Sequence, residues 1–121
     1  MKLIIDANIL LAALIKNSKT RELILEKENE LLAPDYILKE IKKYKHILKE
    51  KTNLNEKDIE HITNFIINKI TIINEYELFP YFSKARNITL DKDDWQYFAL
   101  ALKLKIPIWT NDKKLRKLIK K

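Results

Sequence analysis

The feature that most constrains this chain is the alternation of very short apolar runs with helical periods. Lys2–Ile5 (KLII) stops at Asp6, and Glu30–Ala33 is closed by Pro34. Ile70–Ile73 (ITII) is β-branched throughout, and Pro107–Thr110 (PIWT) is the last such run. Runs of this length and character read as strands buried on both faces. Between them the spacing predicts helices: Ile9–Ile15, then Lys19–Glu28 behind a Ser18 cap, and a long helix from Asp35 to about Lys51. Asn55 and Asp58 form a capping box for a helix to about Asn68. Short helical pieces fill Glu77–Ala85, a helix runs from Asp91 to about Lys105, and Asp112 caps a basic terminal helix. Buried strands joined through helices imply a parallel sheet covered on both sides, an α/β fold. With no Pro/Gly/Ser linker and no repeat, residues 1–121 are expected to form a single domain.

Composition removes several classes of chemistry. There is no cysteine, so disulfides, thiolate metal sites and cysteine nucleophiles are excluded. There is no glycine, so no glycine-rich phosphate loop exists and no nucleotide-cofactor site is expected. Asp6 and Asn8 interrupt the apolar N-terminus, and Ile9–Ile15 falls far short of the ~20 residues of a membrane span. The expectation is a cytoplasmic protein with no membrane partner. The formal charge is +7, which favours a polyanionic partner such as a nucleic acid, although a biased genome or a hot habitat gives the same lysine-rich, glycine-free balance. Lysines 39, 42, 43, 45, 49 and 51 concentrate that charge on one predicted helix, as DKKLRKLIKK does at the C-terminus. A solvated face and a phosphate-tracking rim are both compatible with such runs. His46 and His61 lack ligand spacing and read as surface residues. Trp95, Tyr97, Phe98 and Trp109 read as core, with Trp95 kept open as a base-stacking platform.

Ligand sites of open parallel sheets lie beyond the carboxyl ends of the strands. Asp6 ends the first predicted strand there, and Asp112 follows Trp109-Thr110-Asn111 at the end of the last. Asp94 lies in the first turn of the helix that feeds the last strand. On the Asp35–Lys51 helix, Ile37, Leu38, Ile41, Tyr44 and Leu48 share one face at 100° per residue, and Glu40 falls at its margin. Taken singly, each acid has an ordinary use. Asp6 and Asp112 suit helix caps, Asp94 suits a box with Asp91, and Glu40 suits a surface ion pair. Taken together they form a carboxylate set, whose members raise each other's pKa unless a cation sits among them. Hard oxygen donors without His or Cys favour Mg²⁺ or Mn²⁺, which can activate water for phosphodiester displacement.

Four blocks, IIDANILLAAL, APDYILKEI, DKDDWQYFALAL and IPIWTND, resemble the PIN-domain family of metal-dependent ribonucleases over essentially the whole chain. The resemblance implies a three-layer α/β/α sandwich around a short parallel sheet. It also implies a catalytic and metal-binding quartet of Asp6, Glu40, Asp94 and Asp112 for Mg²⁺ or Mn²⁺. Asn8, Asp91 and Thr110 match supporting positions, and Asp93 is read as the solvated acid. The activity implied by the resemblance is that of an endoribonuclease leaving 5′-phosphate and 3′-hydroxyl ends. Many small PIN domains resemble the toxin half of VapBC-type pairs, which implies an antitoxin partner and a homodimer. The alternative is a catalytically inert module that binds RNA or protein. A receiver-like phospho-switch ranks low, because Asp6 is followed by Ala7-Asn8 and no lysine directly follows the last strand.

Overall fold

A computed structural model describes residues 1–15 and 18–110. Four strands, β1 (Lys2–Ile5), β2 (Glu30–Pro34), β3 (Ile70–Ile73) and β4 (Ile108–Trp109), form a parallel sheet in the order β3-β2-β1-β4. β1 lies in register with both neighbours, Leu3 opposite Leu31 and Ile5 opposite Trp109. After β1 the chain moves to β2 and β3 on one side, then returns to lay β4 on the other. The strand order therefore reverses between β1 and β4, where open α/β sheets place their ligand crevice.

Helices cover both faces, giving an α/β/α sandwich. One group comprises α1 (Ala7–Ile15), α2 (Ser18–Leu25), α3 (Tyr36–Lys43), α4 (Lys45–Thr52) and α5 (Glu56–Ile67). The other comprises α6 (Glu75–Leu78), α7 (Phe82–Ile88) and α8 (Trp95–Leu104), with 3-10 turns at Phe79–Tyr81 and Lys92–Asp94. In α8 four successive residues, Tyr97, Phe98, Ala99 and Leu100, are buried. A helix buried on every side must be an inner element. It packs on β1 and β2 from one direction and is covered by α6 and α7 from the other. Ile4, Ile5, Leu10 and Ile37 are also fully buried, with Ile4 and Ile5 on opposite faces of β1 so that the core lies on both sides of the sheet.

Local chemistry explains most element ends. The Asn55 side chain accepts from Asp58 N–H at 2.8 Å, the cap expected for α5. Asp35 stands at the start of α3 but makes no side-chain cap there. Its carboxylate instead accepts from Glu75 N–H at 3.2 Å, adding a second acceptor to the start of α6 beside the Asn74 cap. The long helix expected over Asp35–Lys51 is two helices, divided at Tyr44, where φ is −99° and ψ is 11°. Hydrogen bonds run through the division, from Tyr44 N to Glu40 O and from Ile47 N to Tyr44 O. The packing differs on its two sides: α3 lies against β2 and α1, and α4 against α1 and α5. α2 ends at Leu25, three residues short of the expected Glu28. With no glycine to hand, α4 and α8 close on left-handed Asn53 and Lys105, the latter at a cost of about 1 kcal/mol. Among the described residues no helix is long and apolar enough to cross a membrane.

Candidate active site

Asp6 is the first residue beyond β1 and is 5% exposed. Ile5 pairs with Trp109, so the next residue of each strand, Asp6 and Thr110, emerges beside the other at the carboxyl edge. The Thr110 hydroxyl, 2% exposed, donates to Asp6 Oδ2. Asp6 Oδ1 accepts from Ile9 N–H at 3.0 Å, capping α1. A buried carboxylate needs such donors to be tolerated at all. Thr110→Val keeps the shape and takes one donor away. We expect it to lower stability by about 1–3 kcal/mol, read as the urea midpoint. An unchanged midpoint would show that the bond adds nothing.

Glu40 reaches the same cleft from α3, half-buried at the margin of the apolar face on which Ile37 and Ile41 are buried. The Tyr97 hydroxyl, presented by α8, donates to Glu40 Oε1 at 2.6 Å. Burial, and then the neighbouring Asp93, Asp6 and Asp94 carboxylates, push Glu40 up to about 7, against the lowering effect of the Tyr97 bond. Burial and the Glu40 charge in turn raise Tyr97, so its hydroxyl stays a donor. Among the described residues the charges that act most on Glu40 are thus other acids.

The 91–94 segment divides its work among three acids. Asp91 Oδ1 accepts from Asp93 N–H at 2.9 Å, capping the 3-10 turn, while its own N–H goes to the Thr89 hydroxyl at 3.2 Å. The reciprocal Asp91–Asp94 box is therefore not made, and the Asp94 side chain does not cap α8. Asp93 is exposed, as expected from the sequence, yet it is not merely solvated. It accepts the Tyr36 hydroxyl and bears on Glu40. The Asp93 bond raises Tyr36 strongly. Asn8 is exposed in the first turn of α1. Asp112 lies outside the described residues. Asp6, Glu40, Asp94 and Thr110 are thus brought to one edge of the sheet, with Asp91 and Asp93 at its rim. Among the described residues no three carboxylates close up far enough to hold an ion by themselves. As a donor set they nonetheless suit a hard divalent cation, being all oxygen and mutually repelling.

The PIN-domain family model matches residues 4–118. The chain belongs to the PIN-domain family. A chain of VapBC2 from Rickettsia felis, solved as a complex bound to a DNA fragment from their promoter, superposes on this PIN domain with a TM-score of 0.74 at 15% identity. The superposition covers 98% of this chain and 93% of that one. At that identity the likeness concerns the fold. A comparison with the curated proteins gives no match.

Two residues of this PIN-domain site are not evident from its sequence motifs. Patterning places Tyr97 in the core, and it is indeed only 2% exposed, but its hydroxyl leaves the core to reach Glu40. Tyr36 carries no motif of its own. A signal is present in both cases: each tyrosine lies one helical turn from an acid, Tyr36 from Glu40 and Tyr97 from Asp93. Trp95 is held at the site's edge by its indole N–H on Thr89 O, at 3.0 Å, with Arg86 over its ring. Outside the cleft, α3 exposes Lys39, Lys42 and Lys43, and α4 exposes Lys49 and Lys51. Lys45 is paired with Glu56 and Glu60, and Lys49 also reaches Glu56 at 3.9 Å. The same helix thus carries an acid toward the cleft and lysines away from it.

Proposed function

We propose that this PIN domain is a Mg²⁺- or Mn²⁺-dependent endoribonuclease. The observation that carries the reading is that the carboxylates of Asp93, Asp6 and Asp94 all bear on Glu40 beside the strand-order reversal. Asp6, Glu40, Asp94 and Asp112 are the residues we assign to the ion. Bound there, a divalent cation would supply Lewis acidity for the scissile phosphate and lower the pKa of the attacking water. The chain's own groups do the rest. Thr110 fixes the Asp6 carboxylate, and Tyr97 occupies Glu40 Oε1, so that Oε2 orients the water. Asp91 holds the turn that presents Asp94. Lys39, Lys42 and Lys43 lie on the exposed side of α3, where they can follow the phosphate backbone of RNA. Water would attack the phosphorus in line and give up a proton to solvent as the P–O3′ bond breaks, and the leaving 3′-oxygen would take a proton from solvent, giving 5′-phosphate and 3′-hydroxyl ends.

Likeness to a chain of VapBC2 supports a further assignment as the toxin of a toxin–antitoxin pair, restrained by a partner protein. The test of the enzyme reading uses purified protein and 5′-labelled RNA. Mn²⁺ should produce cleavage and EDTA should stop it. Binding without shortening of the RNA would establish the alternative, an inert RNA-binding module.

A further inference from the structure

The sheet aligns only half of the candidate site. Pairing of β1 with β4 fixes Asp6 against Thr110, but Glu40 sits on α3 and Asp94 on the turn before α8, which no strand pairing sets relative to each other. We propose that Tyr36 and Tyr97 are positioning residues. They form two phenol–carboxylate rungs that lock α3 to residues 92–104 and fix where Glu40 and Asp94 stand toward a divalent cation. The inference rests on the metal-dependent reading of the site and deepens it.

The rungs are crossed. Tyr36 on α3 donates to Asp93 on the turn, and Tyr97 on α8 donates back to Glu40 on α3. Each joins residues 57 apart in the chain, and on both elements the two partners are four residues apart. Residues at that spacing share a helix face one turn apart, so the rungs stand about 5–6 Å from each other. One hydrogen bond would leave the two elements free to pivot about it. Two, a turn apart and opposite in polarity, set rotation as well as separation.

Phenols suit this task better than lysine or arginine. Glu40 and Asp93 repel each other and must be held together while the site is empty. A cationic side chain would do so by neutralising the charge that is to attract the ion. A phenol, titrating near 10, donates a hydrogen bond and leaves the negative charge in place. Rigidity differs between the rungs. Tyr97 is wedged in the core at 2% exposure, and the Ala7 N–H acts on its oxygen from the Asp6 side. Tyr36 is half-buried and its rung stands at the rim. The inner rung therefore sets the position of Glu40, and the outer one keeps the turn bearing Asp94 from swinging away.

Calorimetric titration of the metal-stripped protein with Mn²⁺ tests this, alongside thermal unfolding in EDTA. Tyr97→Phe should weaken Mn²⁺ binding about tenfold or more, the usual consequence of losing a group that orients a metal ligand. Tyr36→Phe should weaken it in the same direction. In a Glu40→Gln background Tyr97→Phe should change affinity by less than about twofold, because its effect is routed through Glu40. Wild-type binding that survives both tyrosine substitutions overturns the inference, as does an equal loss in both backgrounds. A wild type that takes up no Mn²⁺ overturns the metal-site reading itself. Should Tyr97→Phe fail to fold, Tyr36→Phe and Asp93→Ala at the rim decide: equal losses that do not accumulate in the double variant support the rungs, and wild-type affinity overturns them.

Discussion

Asp6→Asn should leave the fold standing and reduce RNA cleavage by roughly 10²–10³-fold, the scale on which enzymes lose rate when a preorganised electrostatic group is removed. The separation of fold from activity comes from the task of each oxygen. Oδ1 caps α1 through Ile9 N–H, and an asparagine carbonyl accepts that bond equally well. Oδ2 accepts from the Thr110 hydroxyl, and an amide in its place can donate to the same hydroxyl with the bond reversed. Both of these bonds can thus survive the loss of the charge. The measurement is cleavage of labelled RNA in Mn²⁺ at matched thermal midpoints. Equal rates for the two proteins would sink the enzyme assignment, whereas a variant that unfolds early would show that the charge itself is structural.

Glu40→Gln should do the opposite to stability: the metal-free protein becomes firmer at pH 8 and is little changed at pH 4. Glu40 is pushed up to about 7, above its unfolded value of 4.5, mainly by burial and then by neighbouring acids. The native state therefore favours the protonated form. The destabilisation is absent below pH 4.5, develops between 4.5 and 7, and is complete above 7. Removing the charge relieves ~1–3 kcal/mol at pH 8, the upper end being the full linkage value for a group only partly shielded from water. Gln retains an Oε1 to receive Tyr97, so the hydrogen bond is not at issue. Urea unfolding of both proteins at the two pH values reads the difference. A stability difference between the two proteins that is the same at both pH values would mean that burial and its neighbours do not raise Glu40. A gain in stability joined to loss of Mn²⁺ binding is the pattern of a functional residue kept at the expense of the fold.

The parallel sheet was legible because KLII and ITII leave no helical reading, and β4 differs from expectation only in being shorter, Ile108–Trp109 rather than Pro107–Thr110. The division at Tyr44 was not legible, since neither proline nor glycine marks it and its cause lies in what α3 and α4 each pack against. The Asp35 cap misled for a related reason: the residue type was right, but tertiary structure offered it a donor at the start of another helix. At the site, helical phase placed Glu40 at the cleft margin, and strand ends placed Asp6. Phase could not show that the Tyr97 hydroxyl turns out of an otherwise apolar neighbourhood, nor that Asp93 is reached by Tyr36. Those contacts join segments 57 residues apart, and local spacing carries no information about them.

The Thr110–Asp6 bond spans 104 residues. The outermost strand is thus also the last of the four to leave the ribosome, and the acid it completes was made among the first residues of the chain. No nascent fragment lacking Thr110 can assemble the pair, however much of the sheet has already formed. Since closing so long a loop is slow compared with local helix formation, the Asp6–Thr110 pair forms only after synthesis has passed that point and the sheet has closed. A truncated or stalled product would therefore be folded in part, with Asp6 buried beside an edge that nothing has yet completed.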